Sequence, residues 1–273
     1  MKIIMSPAKK MRVDEDASIT PTTPCFLNES YILEKKLKSM SYDELRRLWK
    51  TNESLTHQCF EELQERQFKP LTCAIHAYDG IAFKYLHPFS MSDSEREYLN
   101  KHLRILSGLY GVLTPTDGIV PYRLEMGVKS LNLYQFWGSK IYNSLDDHVI
   151  INLASKEYSK CITDYLTEED QCIEIQFLRN IKGTLKQQAT YAKMARGAMI
   201  SYMAKEKIEN IEDLKKFNDL DFVFDEKLSN NHCFVFVQGR NENEEVFKRF
   251  CMCTSCIKYW MCQRREERNT KED

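Results

Sequence analysis

The chain has 273 residues and a formal net charge of −1, and 42% of its residues are hydrophobic and 11% aromatic. This composition excludes general disorder and supplies enough apolar surface for one large core. Because the total charge is close to zero, any affinity for nucleic acid has to come from a local patch. Neither a signal peptide nor an apolar run long enough to cross a bilayer is visible, so we expect a cytoplasmic protein without a membrane partner.

The first third of the chain predicts a short strand followed by helices. The stretch Lys2-Ile3-Ile4-Met5 is typical of a short buried strand, and Ser6-Pro7 ends it. Helical periodicity follows at residues 33–40 and 52–67. Between these two helices Ser41 and Glu44 have the spacing of a capping box, which predicts the start of another helix.

The middle of the chain predicts a second capped helix. Residues 74–78 look like a short strand that ends at a turn. Ser92 and Glu95 form another capping box, and the apolar residues after it predict a helix that runs through Leu106 and breaks at Ser107-Gly108.

The last third predicts the main strands of a sheet. Residues 149–153 form a continuous apolar run, as in a central strand, and residues 172–177 alternate. A long helix is predicted at residues 190–208. The remaining strands are predicted at residues 222–224 and 233–237. Together these elements predict one mixed α/β domain at residues 1–238, with a central mixed sheet surrounded by helices.

Two segments of the first half have residues suited to binding an anion. Ser6 and Lys9 follow the first strand, and ligands of α/β folds tend to lie at strand ends; the alternative is a solvated loop. Gly108 and Gly111 bound a tight turn with the outline of a helix-hairpin-helix, in which glycines let the backbone approach a DNA phosphate. The alternative for that segment is a helix C-cap followed by a packed turn.

Arg123 and Glu125 stand two residues apart, so in an extended segment they share a face. They either pair with each other, or Glu125 orients Arg123 toward a ligand. Tyr122 beside them has a ring that could stack on an unpaired base.

Two segments of the second half also have residues suited to binding an anion. Asn152 ends the predicted central strand, where its amide could bond a base or sugar edge, and Ser155 is placed to cap the next helix, whose N-terminus suits an anion. Ordinary capping is the alternative. Lys193 and Arg196 share a helix face, within a stretch at residues 182–207 whose net charge is +5.

No nucleotide-binding loop, metalloprotease motif or nucleophile elbow is visible. Glu125 and Asp79 are the only weak candidates for acid–base chemistry, so we leave open whether the protein is an enzyme, and we expect no cofactor.

The extension at residues 239–273 is charged and rich in cysteine, and we expect it to be poorly ordered. Four of its cysteines lie close together, and they could hold a metal or sense an oxidant, although their spacing is not that of a zinc ribbon. They are Cys251, Cys253, Cys256 and Cys262.

Six blocks of this sequence resemble the YaaA-type peroxide stress protein family and occur in that family's order. The blocks are SPAK at 6–9, HLRILSGLYGVL at 102–113, PYRLEMG at 121–127, LYQFWG at 133–138, INLASKEY at 151–158 and YAKMARG at 191–197. The resemblance implies a positively charged cleft, a helix-hairpin-helix element, binding to double-stranded or distorted DNA, and a role in limiting oxidative damage. It implies no defined reaction, and an enzyme acting on a nucleoside or nucleic acid in the same cleft is the alternative.

Carried onto this chain, the resemblance and the local chemistry together give twelve candidate residues for binding DNA or another anion. They are Ser6, Lys9, Arg104, Gly108, Gly111, Tyr122, Arg123, Glu125, Asn152, Ser155, Lys193 and Arg196.

Overall fold

The computed structural model describes residues 1–14 and 19–239. Ten strands lie within this part of the chain: β1 (Lys2–Met5), β2 (Thr72–Cys73), β3 (Leu103–Ser107), β4 (Gly111–Leu113), β5 (Gly118–Ile119), β6 (Val149–Leu153), β7 (Gln171–Ile181), β8 (Thr184–Lys186), β9 (Phe222–Phe224) and β10 (Cys233–Gln238). The α-helices of the same part are α1 (Leu27–Lys38), α2 (Tyr42–Trp49), α3 (Glu53–Glu65), α4 (Ala74–Ala77), α5 (Ile81–Leu86), α6 (Asp93–His102), α7 (Leu133–Trp137), α8 (Lys140–Asn143), α9 (Lys156–Thr163) and α10 (Ala189–Glu206).

The central sheet has eight strands and mixed direction, which confirms the predicted fold class. Its spatial order is β4-β3-β1-β6-β7-β10-β9, with β8 paired to β7. The five inner strands from β3 to β10 are parallel, and β4, β8 and β9 pair in the antiparallel sense. β2 and β5 form a separate antiparallel pair.

The inner strands are buried on both faces because helices cover them. Ile3 and Ile4 of β1 and Ile150 and Ile151 of β6 are 0% exposed. This is why the two strands are continuous apolar runs, and why their prediction from the sequence is confirmed.

Helix starts follow local chemistry. Ser41 and Glu44 form the predicted capping box at the start of α2, and Ser92 and Glu95 form the one at the start of α6. Each serine side chain accepts from the backbone of the glutamate, and each glutamate accepts from the backbone of the serine, so two orphan amides are satisfied at each start.

The predicted helix-hairpin-helix is wrong. α6 ends at His102, and the next five residues form the buried strand β3, which pairs with β4 as a β-hairpin. The apolar residues of β3 face neighbours on both sides of the sheet, and such a run cannot be told from a buried helix face by periodicity alone. The strand predicted at residues 74–78 is also wrong, because the strand is β2 and the following residues form the helical turn α4.

One glycine sets the distance between two helices. Gly197 lies in α10 where this helix packs on α5, and a Cβ built at Gly197 would lie 2.0 Å from the carbonyl oxygen of Ala82. Glycine therefore allows a backbone contact that no other residue permits, and α10 is held directly against α5.

No helix of residues 1–14 and 19–239 is long and apolar enough to cross a bilayer. The cysteine-rich segment proposed as a metal or oxidant site lies outside the described residues.

Candidate functional site

A cavity of about 470 Å³ lies beyond the carboxyl end of β1. β1 is flanked by β3 on one side and β6 on the other, and all three strands are parallel. The connections that follow β1 therefore lead first to one side of it and later to the other. Such a switch point opens a crevice at the carboxyl edge of an α/β sheet. The polar and charged residues that line the cavity are Ser6, Lys9, Lys10, Asp79, Tyr122, Arg123, Glu125, Ser155, Glu157, Tyr158, Lys193 and Arg196.

Two serines join the strand ends at the base of this cavity. The amide of Ser155 donates to the Oγ of Ser6 at 2.8 Å, and the Oγ of Ser6 donates to the Oγ of Ser155 at 3.2 Å. Ser155 is the N-cap residue of α9, as predicted, but its hydroxyl bonds Ser6 and makes no capping bond. The pair therefore ties β1 to the start of α9, and it leaves the first turn of that helix without a side-chain cap.

The segment at residues 121–127 is pressed against the end of β3. A Cβ on Gly108 would lie 2.5 Å from the carbonyl oxygen of Leu124, and the carbonyl of Gly108 accepts from the Nε1 of buried Trp137 at 3.1 Å. Gly111 has a φ of +70° and lies against the Trp137 ring. Both glycines are buried, so they position this segment and present no backbone amide to a phosphate.

Each carboxylate of the cavity already has a partner. Glu125 Oε1 lies 2.6 Å from Lys9 Nζ, and Asp79 Oδ2 lies 2.7 Å from Lys10 Nζ. Glu157 accepts from the amide of Gly127 at 2.8 Å. The hydrogen bond from Lys10, with the nearby positive charges, lowers the pKa of Asp79, so this carboxylate is ionised at neutral pH.

The two arginines of the cavity differ from its carboxylates in having no charged partner in the described residues. Within residues 1–14 and 19–239, the Nε atoms of Arg123 and Arg196 are buried and have no hydrogen-bond partner. No ion pair joins either guanidinium to a carboxylate of the described chain, so Glu125 pairs with Lys9 and not with Arg123. Burial lowers the pKa of Arg196, and Glu174 opposes this effect from outside the cavity. Unsatisfied buried donors are rare and call for an explanation.

Tyr122 forms part of a hydroxyl chain under the cavity. Its Oη lies 2.8 Å from the Oη of Tyr78 and 2.7 Å from the Oγ of Ser107. Burial raises the pKa of Tyr122 to about 12, against the hydrogen bonds from Ser107 and Tyr78. The phenol is therefore neutral, and its bonds hold the segment at residues 121–127 onto β3.

Eight of the twelve candidate residues meet at this cavity: Ser6, Lys9, Tyr122, Arg123, Glu125, Ser155, Lys193 and Arg196. Asp79, the second weak acid–base candidate, lines it too.

Four candidates lie elsewhere. Gly108 and Gly111 act in packing, as described above. The guanidinium of Arg104 donates to the carbonyls of Asn100 and Leu103, and Arg104 is not among the residues that line the cavity. Asn152 is 7% exposed, its Oδ1 accepts from the amide of Ala154 at 3.0 Å, and it is not among the residues that line the cavity.

Lys10, Glu157 and Tyr158 line the cavity but are not among the twelve candidate residues. Glu157 and Tyr158 follow Ser155 on the first turn of α9, and Lys10 follows Lys9. Their closeness in the sequence to residues already predicted for the site was the signal that could have found them. The position of Asp79 depends on Gly80, since a Cβ there would lie 2.6 Å from the Cβ of Ala8.

A second cavity, of about 1030 Å³, adjoins the first on the side of α1, α2 and α3. Lys9, Lys10, Tyr122 and Arg123 line both cavities. The walls of the larger one are mostly apolar, and Trp49 contributes to them.

The described chain has no group of three or more His, Cys, Asp or Glu side chains placed to hold a metal ion. Burial raises the pKa of Cys172 to about 11 and that of Cys161 to about 12. These thiols are protonated at neutral pH and lack the thiolate character that peroxide-reactive cysteines need.

Comparison with known sequences identifies relatives of this chain. The sequence model of the family described as "Peroxide stress protein YaaA" matches residues 1–228. The chain is 46% identical over 244 residues to a UPF0246 protein of Agathobacter rectalis, an alignment that covers 86% of this chain and 98% of the relative. It is 43% identical over 247 residues to a UPF0246 protein of Pediococcus pentosaceus, with 88% and 98% covered. The match of most of the chain to one family model, together with these relatives, establishes that the chain belongs to the peroxide stress protein YaaA family.

Proposed function

We propose that this protein binds DNA through the cavity at the end of β1 and its lysine rim, and that this binding limits oxidative damage to the DNA during peroxide stress. The observation that carries the proposal is the meeting of cationic side chains from three separate segments at one cavity. The three segments hold Lys9, Arg123, and the pair Lys193 and Arg196. They are far apart in the sequence, and the fold brings them together.

The charge around the cavity supports a polyanionic partner. Five basic and three acidic side chains line it, which gives a formal charge of +2 in a chain whose total is −1. Lys9 and Lys10 are 66% and 78% exposed in their side chains, so their ammonium groups stand at the rim where a duplex can reach them. Each phosphate that such a group neutralises releases condensed counterions, so the affinity should fall steeply as salt is added.

The test measures the salt dependence of binding. A fluorescently labelled duplex is titrated with the protein at salt concentrations between about 50 and 200 mM, and log Kd is plotted against log salt concentration. Lys193→Ala should weaken binding and reduce the slope by about 1, the value for one lost phosphate contact. Lys160→Ala is the matched control, since Lys160 is an exposed helical lysine that does not line the cavity. The proposal fails if the duplex does not bind at low salt, or if Lys160→Ala and Lys193→Ala have equal effects.

A second candidate function is an enzyme that acts on a nucleoside or nucleic acid in the same cavity. The carboxylates Asp79 and Glu125 favour it, because negative groups weaken phosphate binding and have no role in a purely cationic cleft. The lowered pKa of Asp79 keeps this carboxylate ionised, so Asp79 cannot act as a general acid at neutral pH and would be a weak general base. Incubation with damaged-base duplexes and with nucleosides, followed by chromatography for released base, tests this function. A reaction lost in Asp79→Asn would support it, and no product from any of these substrates would count against it.

A further inference from the structure

The charges of the cavity at the end of β1 are only partly balanced. Its three carboxylates are occupied by Lys9, Lys10 and the amide of Gly127. Arg123 and Arg196 have no such partner in the described chain, and the Nε of each is buried. Leaving a buried charged group without a partner is costly, and a ligand with acceptor oxygens at these guanidinium groups would supply the negative partner that they lack.

The backbone next to each arginine is held by close contacts. Arg196 precedes Gly197, whose backbone touches α5, and Arg123 precedes Leu124, whose carbonyl lies against Gly108. The two backbone positions are therefore fixed before a ligand binds, which lowers the cost of ordering the site.

The arginines lie deeper than the lysines. Arg123 and Arg196 are half-buried, whereas Lys9 and Lys193 are exposed. The cavity volume of about 470 Å³ is that of a small-molecule pocket and cannot admit a double helix. The phosphodiesters of an intact duplex can contact the rim, but a group that reaches the arginines has to be small enough to enter.

We propose that Arg123 and Arg196 form a binding site for a phosphate monoester carried by a nucleotide. A monoester has a charge of about −1.5 to −2 at neutral pH and three terminal oxygens, which match two planar guanidinium groups better than the single charge of a diester does. The start of α9, which Ser155 leaves without a side-chain cap, adds a positive dipole end at the same edge.

This chemistry has two sources, a free mononucleotide and the phosphorylated end of a DNA strand. The inference deepens the proposed function where the source is a strand end. It stands apart from that function where the source is a free mononucleotide, because such a ligand needs no duplex on the rim.

The experiment compares ligands that differ only in the phosphate, on the intact protein. Isothermal titration calorimetry is done with deoxyadenosine 5′-monophosphate, deoxyadenosine and inorganic phosphate. The same duplex is then titrated with 5′-phosphate and with 5′-hydroxyl ends. We expect the monophosphate to bind at least tenfold more tightly than the nucleoside, and the phosphorylated duplex to bind more tightly than the hydroxyl duplex if strand ends are a source.

Variants then assign the site. Arg123→Gln and Arg196→Gln should each weaken the monophosphate about ten- to a hundredfold, the range for a charged hydrogen bond. Arg47→Gln, a change of an exposed arginine on α2, should have no effect. Thermal unfolding accompanies each titration, and should a variant be unfolded, the comparison of phosphorylated and unphosphorylated ligands on the native protein still decides the inference.

The possible failures are distinguishable. If the hydroxyl duplex binds with the expected salt dependence but the 5′-phosphate adds nothing and the monophosphate does not bind, this inference is overturned and the proposed function stands. If the monophosphate binds through both arginines while neither duplex binds, the proposed function fails and this inference stands.

Discussion

The contact between α5 and α10 gives a sharp prediction for Gly197→Ala. The new Cβ would lie 2.0 Å from the carbonyl oxygen of Ala82 and 2.8 Å from its carbonyl carbon. Real Cβ atoms essentially never come within 3.0 Å of such atoms, so the two helices must separate by about an ångström or more. The obstacle is a backbone carbonyl, which cannot rotate away as a side chain can.

Two effects of opposite sign decide the magnitude. Glycine in a helix interior is about 1 kcal/mol less favourable than alanine, so propensity alone predicts a more stable variant. Overpacking costs about 1–3 kcal/mol, and we take the upper end because both sides of the contact are backbone. The net expectation is a loss of about 2 kcal/mol in the free energy of unfolding, or a Tm lower by about 4–8 °C.

Urea unfolding followed by far-UV circular dichroism measures this loss. Ser201→Ala and Ser201→Gly, made in the same helix, give the propensity difference without a backbone clash. Nucleotide affinity should fall as well, since Arg196 is the next residue and Ala82 lines the cavity. A Gly197→Ala variant as stable as the native protein, or more stable, would show that the helix contact is not tight and would refute this reasoning.

Two further predictions concern groups other than the arginines. Tyr122→Phe removes the hydroxyl that bonds to Tyr78 and Ser107. We expect it to lower the free energy of unfolding by about 1–3 kcal/mol in urea titrations, because two buried hydroxyls lose a partner. An unchanged free energy of unfolding would mean that these hydrogen bonds do not stabilise the fold. Although burial raises the pKa of Asp170, hydrogen bonds from the Thr167 amide and from neighbouring side chains hold it well below its usual range. A depressed pKa contributes stability above the unfolded value near 4, and this contribution is lost as the pH falls. Asp170→Asn should therefore cost about 1.5–3 kcal/mol at pH 7 and progressively less as the pH is lowered from about 5, and a cost independent of pH would contradict this account.

Short sequence patterns predicted the helix starts and strands that depend on neighbouring residues. The two capping boxes at Ser41 and Ser92 fix helix starts through bonds within four residues, and they occur as expected. The continuous apolar strands β1 and β6 were predictable because burial on both faces leaves no polar alternation.

The error at β3 has a physical cause. A capped helix and a buried strand follow each other directly at His102 and Leu103, with no turn residue between them. Apolar periodicity alone could not place that boundary, and the glycines after it suggested a DNA-binding hairpin although they serve close packing.

The site was predictable in its residues but not in its pairing. Strand-end reasoning led to Ser6 and Ser155, and helical spacing led to Lys193 and Arg196. The sequence suggested that Arg123 pairs with Glu125 or is oriented by it. In the structure Lys9, which follows β1, forms the ion pair with Glu125. A pairing of this kind depends on the tertiary path of the chain, which no local pattern contains.

The bond between Ser6 and Ser155 has a consequence for the order in which the site forms. It joins residues 149 positions apart, and β1 lies between strands that begin a hundred or more residues later. During synthesis the first strand therefore emerges long before β3, its first partner, and its other edge stays unpaired until β6 leaves the ribosome. Arg196 follows some forty residues after that. The cavity is thus among the last parts of the domain to be completed, and a chain truncated before α10 would lack half of the proposed arginine pair even with the strands β1, β3 and β6 in place.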